Sequence, residues 1–545
     1  MLSKALRPNS IEGFLPRFLK ARAVKVACFV NPLVHPRGPC FNYGWVEALI
    51  KLVEPLRREA RCECMLIAGA WFKDWVRQNG KTQLLTGLRT AWLDELSLYR
   101  SIKELGELPT ALDQAAHQAD EAEQPSLRVI ADALAASIEG FQPDIIIGFA
   151  GEANYLAKLW PTAFRLHIER GQFGRDPYPF CMYFDHVGTH SRSAIGRIGG
   201  LKLTYPITTD GRTLVATFRS QMAAAFDSLD PFRSYDFRSH FDRLCLLPLQ
   251  ISNEFSFDGQ VNYRTQFEYL YDVLAAAPKD VGVIVTEHPN GEPILRRSGT
   301  VSNLDSLRGT FPNLIFLDEF RRYQSPAQFL VPRVDGVWSV SSSVGHQALL
   351  FDRTLGAPPS SELSDVADET TFENFFGRIG HRKSTNAEAF LAWMLERYLV
   401  PAKLLTDGRW LHDYLQRRVD AARSANNPID AFVPTADADR LMDAWIISAP
   451  TPVTMASLQW QDDPSIAELL ADRNRVRRER DALLKSTSWR ITAPLRLLMQ
   501  GIDVARGSRH AAAGIGLRMS RLRRRLLRLE QLVPVIHARS KPPTI

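Results

Sequence analysis

Residues 338–358, WSVSSSVGHQALLFDRTLGAP, end a short apolar run in Ser341, Ser342 and Ser343 and restart through Gly345 as an apolar helical segment carrying Gln347. Hydroxyls and free backbone N–H groups at a helix start serve one of two ends. One serine caps the helix, or the donors and the helix dipole hold an anion, above all a phosphate. Upstream, the apolar run VGVIVT (281–286) passes straight into Glu287, His288, Pro289 and Asn290. A histidine at the carboxyl end of a parallel strand enters a cleft, and the following proline sets the turn. Its plainer reading is a loop histidine in a tight turn. Further upstream, HIERGQFGRDPYPFCMYFDHVG (167–188) brings Glu169, Arg170, Arg175 and Asp185 into one stretch. Taken alone, Glu169 reads as an ion-pair partner of Arg170 or Arg175, and Asp185 with Gly188 as a turn.

The elements that must position these residues come in two series. Residues 24–30 (VKVACFV), 63–68 (ECMLIA) and 144–149 (DIIIGF) read as strands, with helical spacing over 45–53 and a helix start over 151–159. A second series begins near residue 243, with strands at 243–249, 281–286, 314–318 and 335–341 and a helix over 262–277. Continuous Val/Ile-rich runs between helices predict parallel sheets covered on both faces. The expected fold is therefore α/β, two Rossmann-like halves facing a cleft, with a basic α-helical C-terminal tail. Ligands in such sheets sit at the carboxyl ends of strands. The expected boundaries are 1–240 for the first half, 241–450 for the second half with its packing helices, and 451–545 for the tail. The segment 387–421 reads as helical and packs back on the body.

The chain has 545 residues, 45% of them hydrophobic and 23% charged, an ordinary balance for a globular protein with large cores. No apolar run reaches the roughly 18 to 20 residues that span a bilayer, and the first residues show no apolar core with a small-residue cleavage site, so no signal peptide is expected. The six cysteines form no C-x-x-C pair, which fits reduced thiols and argues against a zinc site. The net charge of +7 hides an asymmetry: residues 471–545 hold 18 Lys and Arg against 5 Asp and Glu, and the remainder of the chain is mildly acidic. A basic tail on an acidic body is expected to meet an anionic surface. Residues 465–485 form a charged helix with a weak heptad seam through Ile466, Leu469, Val476 and Leu483, a seam for self-association. Beyond it, Leu522, Leu526, Leu529 and Val533 share a helical face bordered by Arg521, Arg524, Arg525 and Arg528. That pattern suits a helix lying on a membrane surface; its alternative is an extension that binds another protein. Trp489 is the only aromatic of residues 471–545, so there is little to stack on bases and nucleic acid is not expected as a partner.

Three stretches carry a family resemblance. CLLPLQISNEFSFDG (245–259) resembles the L-P-L-Q-V-x-x-D-x-x-I stretch of the bacterial capsule polysaccharide biosynthesis family, which includes the retaining β-Kdo transferases. Residues 167–188 resemble that family's E-x-G-x-x-R…D-x-x-G stretch, and residues 334–358 its V-x-x-V-x-T-x-x-S-S-V-G-x-E-A-L-x-x-x-x-P-V stretch. STSWRITAPLR (486–496) is similar to a tail motif of many bacterial surface-polysaccharide glycosyltransferases. The resemblance implies a GT-B fold, with an acceptor domain over 1–240 and a nucleotide-sugar domain over 241–450, and transfer of Kdo or a related ulosonic acid from its CMP form to a capsule or lipopolysaccharide glycan. His288, Pro289, Ser341, Ser342, Ser343, Gly345 and Gln347 would then hold the nucleotide. No metal and no cofactor beyond the donor are implied, because a histidine and helix-end donors can offset the charge of the leaving CMP. The oxocarbenium-like centre calls for a carboxylate that stabilises or traps it. Glu254 aligns with the family's aspartate there, with Gln250 and Asp258 nearby. Glu169 aligns with an upstream glutamate and would be the acid/base toward the acceptor hydroxyl, supported by Arg175 and Asp185. The implied place is the cytoplasmic face of the inner membrane, held peripherally by the basic tail near a lipid-linked acceptor.

Departures from the pattern keep two alternatives open. Glu254 replaces an aspartate, Gln347 stands where glutamate is usual, and Glu287 precedes the His-Pro pair. A nucleotide-sugar epimerase of the UDP-GlcNAc type has a similar His-Pro-Asn turn and serine stretch on the same fold. A non-catalytic partner in polysaccharide assembly or export would keep the cleft without the reaction.

Overall fold

The computed structural model describes residues 23–33, 43–106, 125–149, 155–197, 205–252, 255–258, 260–288, 293–295, 297–298, 301–381, 387–426 and 428–447. The chain divides into two units, Met1–Trp460 and Gln461–Ile545. All described residues belong to the first; the 465–485 seam and the basic tail lie outside them.

Six strands lead the first half: β1 (Lys25–Val30), β2 (Glu63–Gly69), β3 (Arg89–Leu93), β4 (Ile145–Phe149), β5 (Phe164–Arg170) and β6 (Cys181–Asp185). In the second half, β7 (Arg243–Pro248) and β8 (Val281–Thr286) are followed by a short ribbon, β9 (Arg297–Ser298) with β10 (Val301–Ser302), and then by β11 (Leu314–Ile315), β12 (Gly336–Trp338) and β13 (Thr354–Gly356). A last strand, β14 (Leu399–Pro401), returns to the first half. The large sheet runs β14-β6-β5-β4-β1-β2-β3 and the second β11-β8-β7-β12-β13. Strands β1 to β5 pair in parallel and β6 and β14 antiparallel. The second sheet is parallel throughout.

Counted within each half, both sheets share the order 3-2-1-4-5, with the extra antiparallel strands added beside the first. That order defines a Rossmann-like sheet and places the ligand crevice where the strand order reverses, beyond the carboxyl ends of the first and fourth strands. In the second half these are β7 and β12. The L-P-L-Q stretch follows β7 and the serines follow β12, so the two motifs meet at the switch point. The molecule is thus the expected GT-B-like α/β fold, two Rossmann-like halves.

The elements form where apolar residues can be buried. Strand β8 is buried at every position, and β7 at all but Arg243, as a sheet with helices on both faces requires. One continuous core joins the halves. It runs from Phe173 and Tyr178 through Phe218 and Phe226 of the helix Thr209–Leu229 to Phe329 and Leu349 of the second half.

One expectation needs correction. The segment 387–421 is not one helical stretch. The helix Ala387–Trp393 passes into a π-helical turn, Met394–Tyr398, then into β14, and helix resumes at Ala402–Leu405 and Gly408–Ser424. Leu399, Val400 and Pro401 pair with Tyr183, Met182 and Cys181 on the edge of the first sheet. That tertiary pairing overrides local helix preference, and Pro401 has no N–H to continue the helical ladder. The chain then locks onto the first half. Arg418, fully buried, donates from Nη2 to the Phe184 carbonyl at 2.9 Å and lies over the Phe432 ring at 4.0 Å.

The helix Gly408–Ser424 begins against the helix Tyr43–Glu59, with the Gly408 N–H on Glu59 Oε2 at 2.8 Å. A methyl group on Gly408 would stand 2.0 Å from the Pro55 carbonyl oxygen. Backbone cannot yield as a side chain does. Gly408→Ala is expected to cost about 1–3 kcal/mol, seen as a lower midpoint in thermal unfolding followed by circular dichroism.

Candidate functional site

The serine loop resolves into distinct tasks. Ser342 is the N-cap of the helix Ser343–Leu350, its Oγ accepting from the Val344 N–H at 3.3 Å. Its own N–H donates to Ser339 Oγ at 3.2 Å. The capping reading therefore holds for one serine. Ser341 Oγ is buried with no hydrogen-bond partner. Ser343 Oγ accepts from Arg175 Nη1 at 3.2 Å, across the cleft from the first half. Gly345 answers packing: a Cβ there would meet Leu363 Cδ1 at 2.4 Å, so the glycine lets the helix close on the loop after β13. Gln347 is fully buried, and its amide donates to the Gln172 carbonyl at 3.0 Å and to Gln328 Oε1 at 3.3 Å. It joins the two halves directly beneath the serines.

Arg175 has no carboxylate within ion-pair distance among the described residues. Its side chain is exposed, and partial removal from water lowers its affinity for a proton, with Arg170 adding repulsion and Glu169 partly offsetting both. Arg170 rests over the Phe180 ring at 5.7 Å. A guanidinium meets the amino end of an eight-residue helix here, and the unpartnered Ser341 hydroxyl lies two residues before Ser343. An arrangement of this kind can take an anion.

Glu169 does not make the ion pair that its neighbours suggest. It lies opposite Tyr183 in the β5–β6 register. Tyr183 Oη donates to Glu169 Oε2 at 3.1 Å, and His190 Nε2 stands 3.7 Å from the same oxygen. Burial pushes the Tyr183 phenol well above its usual range, with Glu169 and then Glu362 adding to it, so it remains a donor. Tyr183 stacks on Tyr398 at 5.3 Å, and Tyr398 Oη donates to Asp185 Oδ2 at 3.0 Å. Asp185 is wholly buried. It accepts the N–H of Val187 at 2.7 Å, of Gly188 at 3.2 Å and of Ala194 at 2.7 Å. Burial raises its pKa and those three N–H groups oppose the rise. Asp185 thus makes the turn foreseen for it, and that turn carries His190.

His190 and Glu362 enter the site without having been singled out in the sequence. His190 Nδ1 lies 3.8 Å from Glu362 Oε2, a carboxylate of the loop after β13 in the second half. That loop is held by Gln260, whose Oε1 accepts the Glu362 N–H at 2.8 Å. Neither residue lies in an element with a periodic pattern. The one available signal was their type, a histidine shortly after the D-x-x-G stretch and a glutamate after a Pro-Pro-Ser-Ser turn.

The remaining predicted residues are placed as follows. His288, half-buried, follows the end of β8. Pro289 and Glu254 lie outside the described residues. Asp258 ends the short helix Phe255–Asp258 after β7, and only its backbone is described. The Gln250 N–H donates to Gln266 Oε1 at 2.8 Å, and the Gln266 N–H to Ser252 Oγ at 3.0 Å, so the loop after β7 is stitched to the next helix, Gln266–Ala276. Glu287 is structural. It accepts from the Ile294 and Leu295 N–H groups at 2.6 and 2.7 Å and from Arg321 Nε and Nη2 at 2.9 and 2.6 Å. Glu287→Ala leaves two amides without their acceptor, and Arg321 with Asp318 and the Leu295 carbonyl as its remaining partners. It is expected to lower stability by about 1–3 kcal/mol, the cost of leaving donors unsatisfied, measured by denaturant unfolding.

No family model matches the chain, and no curated protein matches it. Among solved structures, it resembles a Thermosulfurimonas dismutans β-Kdo 2,4 transferase at 17% identity, over 46% of this chain and 79% of that one, with a TM-score of 0.31. It resembles a UDP-GlcNAc 2-epimerase from Neisseria meningitidis at 12% identity, over 78% of this chain and all of that one, with a TM-score of 0.27. A Methanocaldococcus jannaschii UDP-GlcNAc 2-epimerase is 11% identical over 67% of this chain and 98% of that one, with a TM-score of 0.30. Likenesses this loose carry no argument about activity. Among the described residues no helix is long and apolar enough to cross a membrane.

Proposed function

We propose that the cleft transfers an ulosonic acid, Kdo or a close relative, from a CMP-linked donor to a hydroxyl of a growing capsule or lipopolysaccharide glycan. The observation that carries this reading is Arg175. Its guanidinium has no carboxylate partner among the described residues and reaches Ser343 at the start of the helix Ser343–Leu350. A phosphate between them would be held from both halves. Stabilising the departing CMP in this way needs donors fixed before the reaction. His288, after β8 and with β7 between it and the serine strand, is proposed to add to them.

The chemistry then divides among carboxylates. Glu254 attacks the anomeric carbon as its bond to the phosphate oxygen breaks, and CMP leaves with the electron pair. The acceptor oxygen displaces Glu254 while Glu169 takes the hydroxyl proton, so configuration is retained. The basic tail brings the enzyme to an anionic membrane surface that presents the lipid-linked acceptor. Calorimetric titration of CMP and UDP tests the reading on the full chain and on His288→Ala. Selective CMP binding, weakened in His288→Ala, supports it. Preference for UDP points to an epimerase. Binding of CMP without turnover of any CMP-sugar points to the non-catalytic partner.

A further inference from the structure

The contact between His190 and two carboxylates has a chemistry beyond holding the halves together. The imidazole lies between Glu169 Oε2, 3.7 Å from Nε2, and Glu362 Oε2, 3.8 Å from Nδ1. The first carboxylate belongs to β5 of the first half and the second to the loop after β13. Exposure falls along the series, with side-chain values of 35% for Glu169, 23% for His190 and 8% for Glu362. A buried carboxylate behind an imidazole, with the far ring nitrogen facing a more open reactive group, is the arrangement that orients a histidine for proton transfer.

His190 is held at this place against backbone preference. Its φ is +48°, in the left-handed region that non-glycine residues seldom occupy. The turn around it is pinned by the Arg192 N–H on the Thr189 carbonyl and the Ser193 N–H on the His190 carbonyl, both 2.9 Å, and by Ala194 on Asp185. Strain of this kind persists only where the surroundings over-determine it, and it gathers at functional sites. Tyr183 and Tyr398 also feel Glu362, after burial and the nearer carboxylates, so the charge of the second half reaches the residues that orient Glu169.

We propose that His190, oriented by Glu362, is the proton partner of Glu169, and that the acid/base centre is therefore complete only when both halves contribute. This rests on the reading of Glu169 as acid/base in glycosyl transfer. The acceptor hydroxyl proton moves to Glu169 as the acceptor oxygen bonds to the anomeric carbon. It then passes from Glu169 to His190 Nε2 and on to solvent, while the Nδ1–H stays directed at Glu362. Both separations, 3.7 Å to Glu169 and 3.8 Å to Glu362, lie outside hydrogen-bond reach, and contacts of this kind tighten in the substrate complex. His190 and Glu362 act through Glu169 and are positioning residues.

The test follows CMP release from CMP-Kdo, with water as acceptor, by the full chain and by His190→Ala, His190→Asn, Glu362→Gln and Glu169→Gln. His190→Asn keeps a residue that tolerates the left-handed backbone, which separates loss of folding from loss of the proton partner. The expected result is a fall in kcat of about 10²-fold, the lower end for acid–base groups, for both His190 variants and Glu362→Gln, with KM little changed. Added imidazole should restore activity to His190→Ala and not to Glu169→Gln. Wild-type kcat in His190→Ala or Glu362→Gln, beside a Glu169→Gln variant that has lost activity, overturns this proposal alone. Loss in His190→Ala without imidazole rescue shows a structural role and overturns it as well. Full activity of Glu169→Gln removes the acid/base role of Glu169 and this inference with it, while no CMP release by the wild type counts against the transferase reading itself.

Discussion

Glu169→Gln is expected to lower turnover of CMP-Kdo by about 10²–10⁴-fold, the range for a lost general acid/base, with CMP affinity unchanged. The split follows from placement. Glu169 faces Tyr183 and His190, while the nucleotide is assigned to Arg175 and the serine helix. Glutamine keeps the size of the side chain and can still accept from the Tyr183 hydroxyl, so the variant should fold. What it loses is the capacity to take a proton. Steady-state CMP release and calorimetric binding of CMP, made on the same preparation, give the two numbers. A parallel fall in both would place Glu169 in nucleotide binding instead.

Arg175→Ala is expected to weaken CMP binding by about 10²-fold, within the 2–5 kcal/mol attached to a truncated charge contact. The variant should fold as the wild type does. Among the described residues Arg175 makes a single side-chain hydrogen bond, to Ser343 Oγ, and its exposed side chain is no part of the core. Removing an unpaired cation also relieves its repulsion with Arg170, so the melting temperature should hold or rise. A structural arginine would behave in the opposite way. Calorimetry with CMP at two salt concentrations checks the claim, since the Arg175 contribution should shrink as salt screens it.

The fold was legible where burial leaves an unbroken apolar run. Residues 281–286 became β8 without a change of boundary, and the runs at 24–30, 63–68 and 243–249 became β1, β2 and β7 with ends shifted by one residue. Strands β3 (RTAWL) and β5 (FRLHIER) mix charged and apolar residues because parts of them face the sheet edge or the cleft, so no run announces them. The strand β14 is three residues long and exists only through pairing with β6. The site divides in the same way. The serine loop and Glu169 could be reached through motifs, because each stands at a strand end within a recognisable stretch. Their tasks could not. Nothing in the local sequence shows that Gln347 turns to Gln172, that Glu287 serves Arg321, or that Arg175 reaches Ser343 in place of Glu169. His190 and Glu362 come from turns of opposite halves and meet through tertiary structure alone.

The most direct measurement is a crystal structure of the full chain grown with CMP. The account predicts the phosphate within hydrogen-bond distance of Arg175 and of the backbone amides that open the helix Ser343–Leu350, with His288 beside it. CMP bound elsewhere on the chain, or a phosphate held without Arg175 and the serine helix, would contradict it.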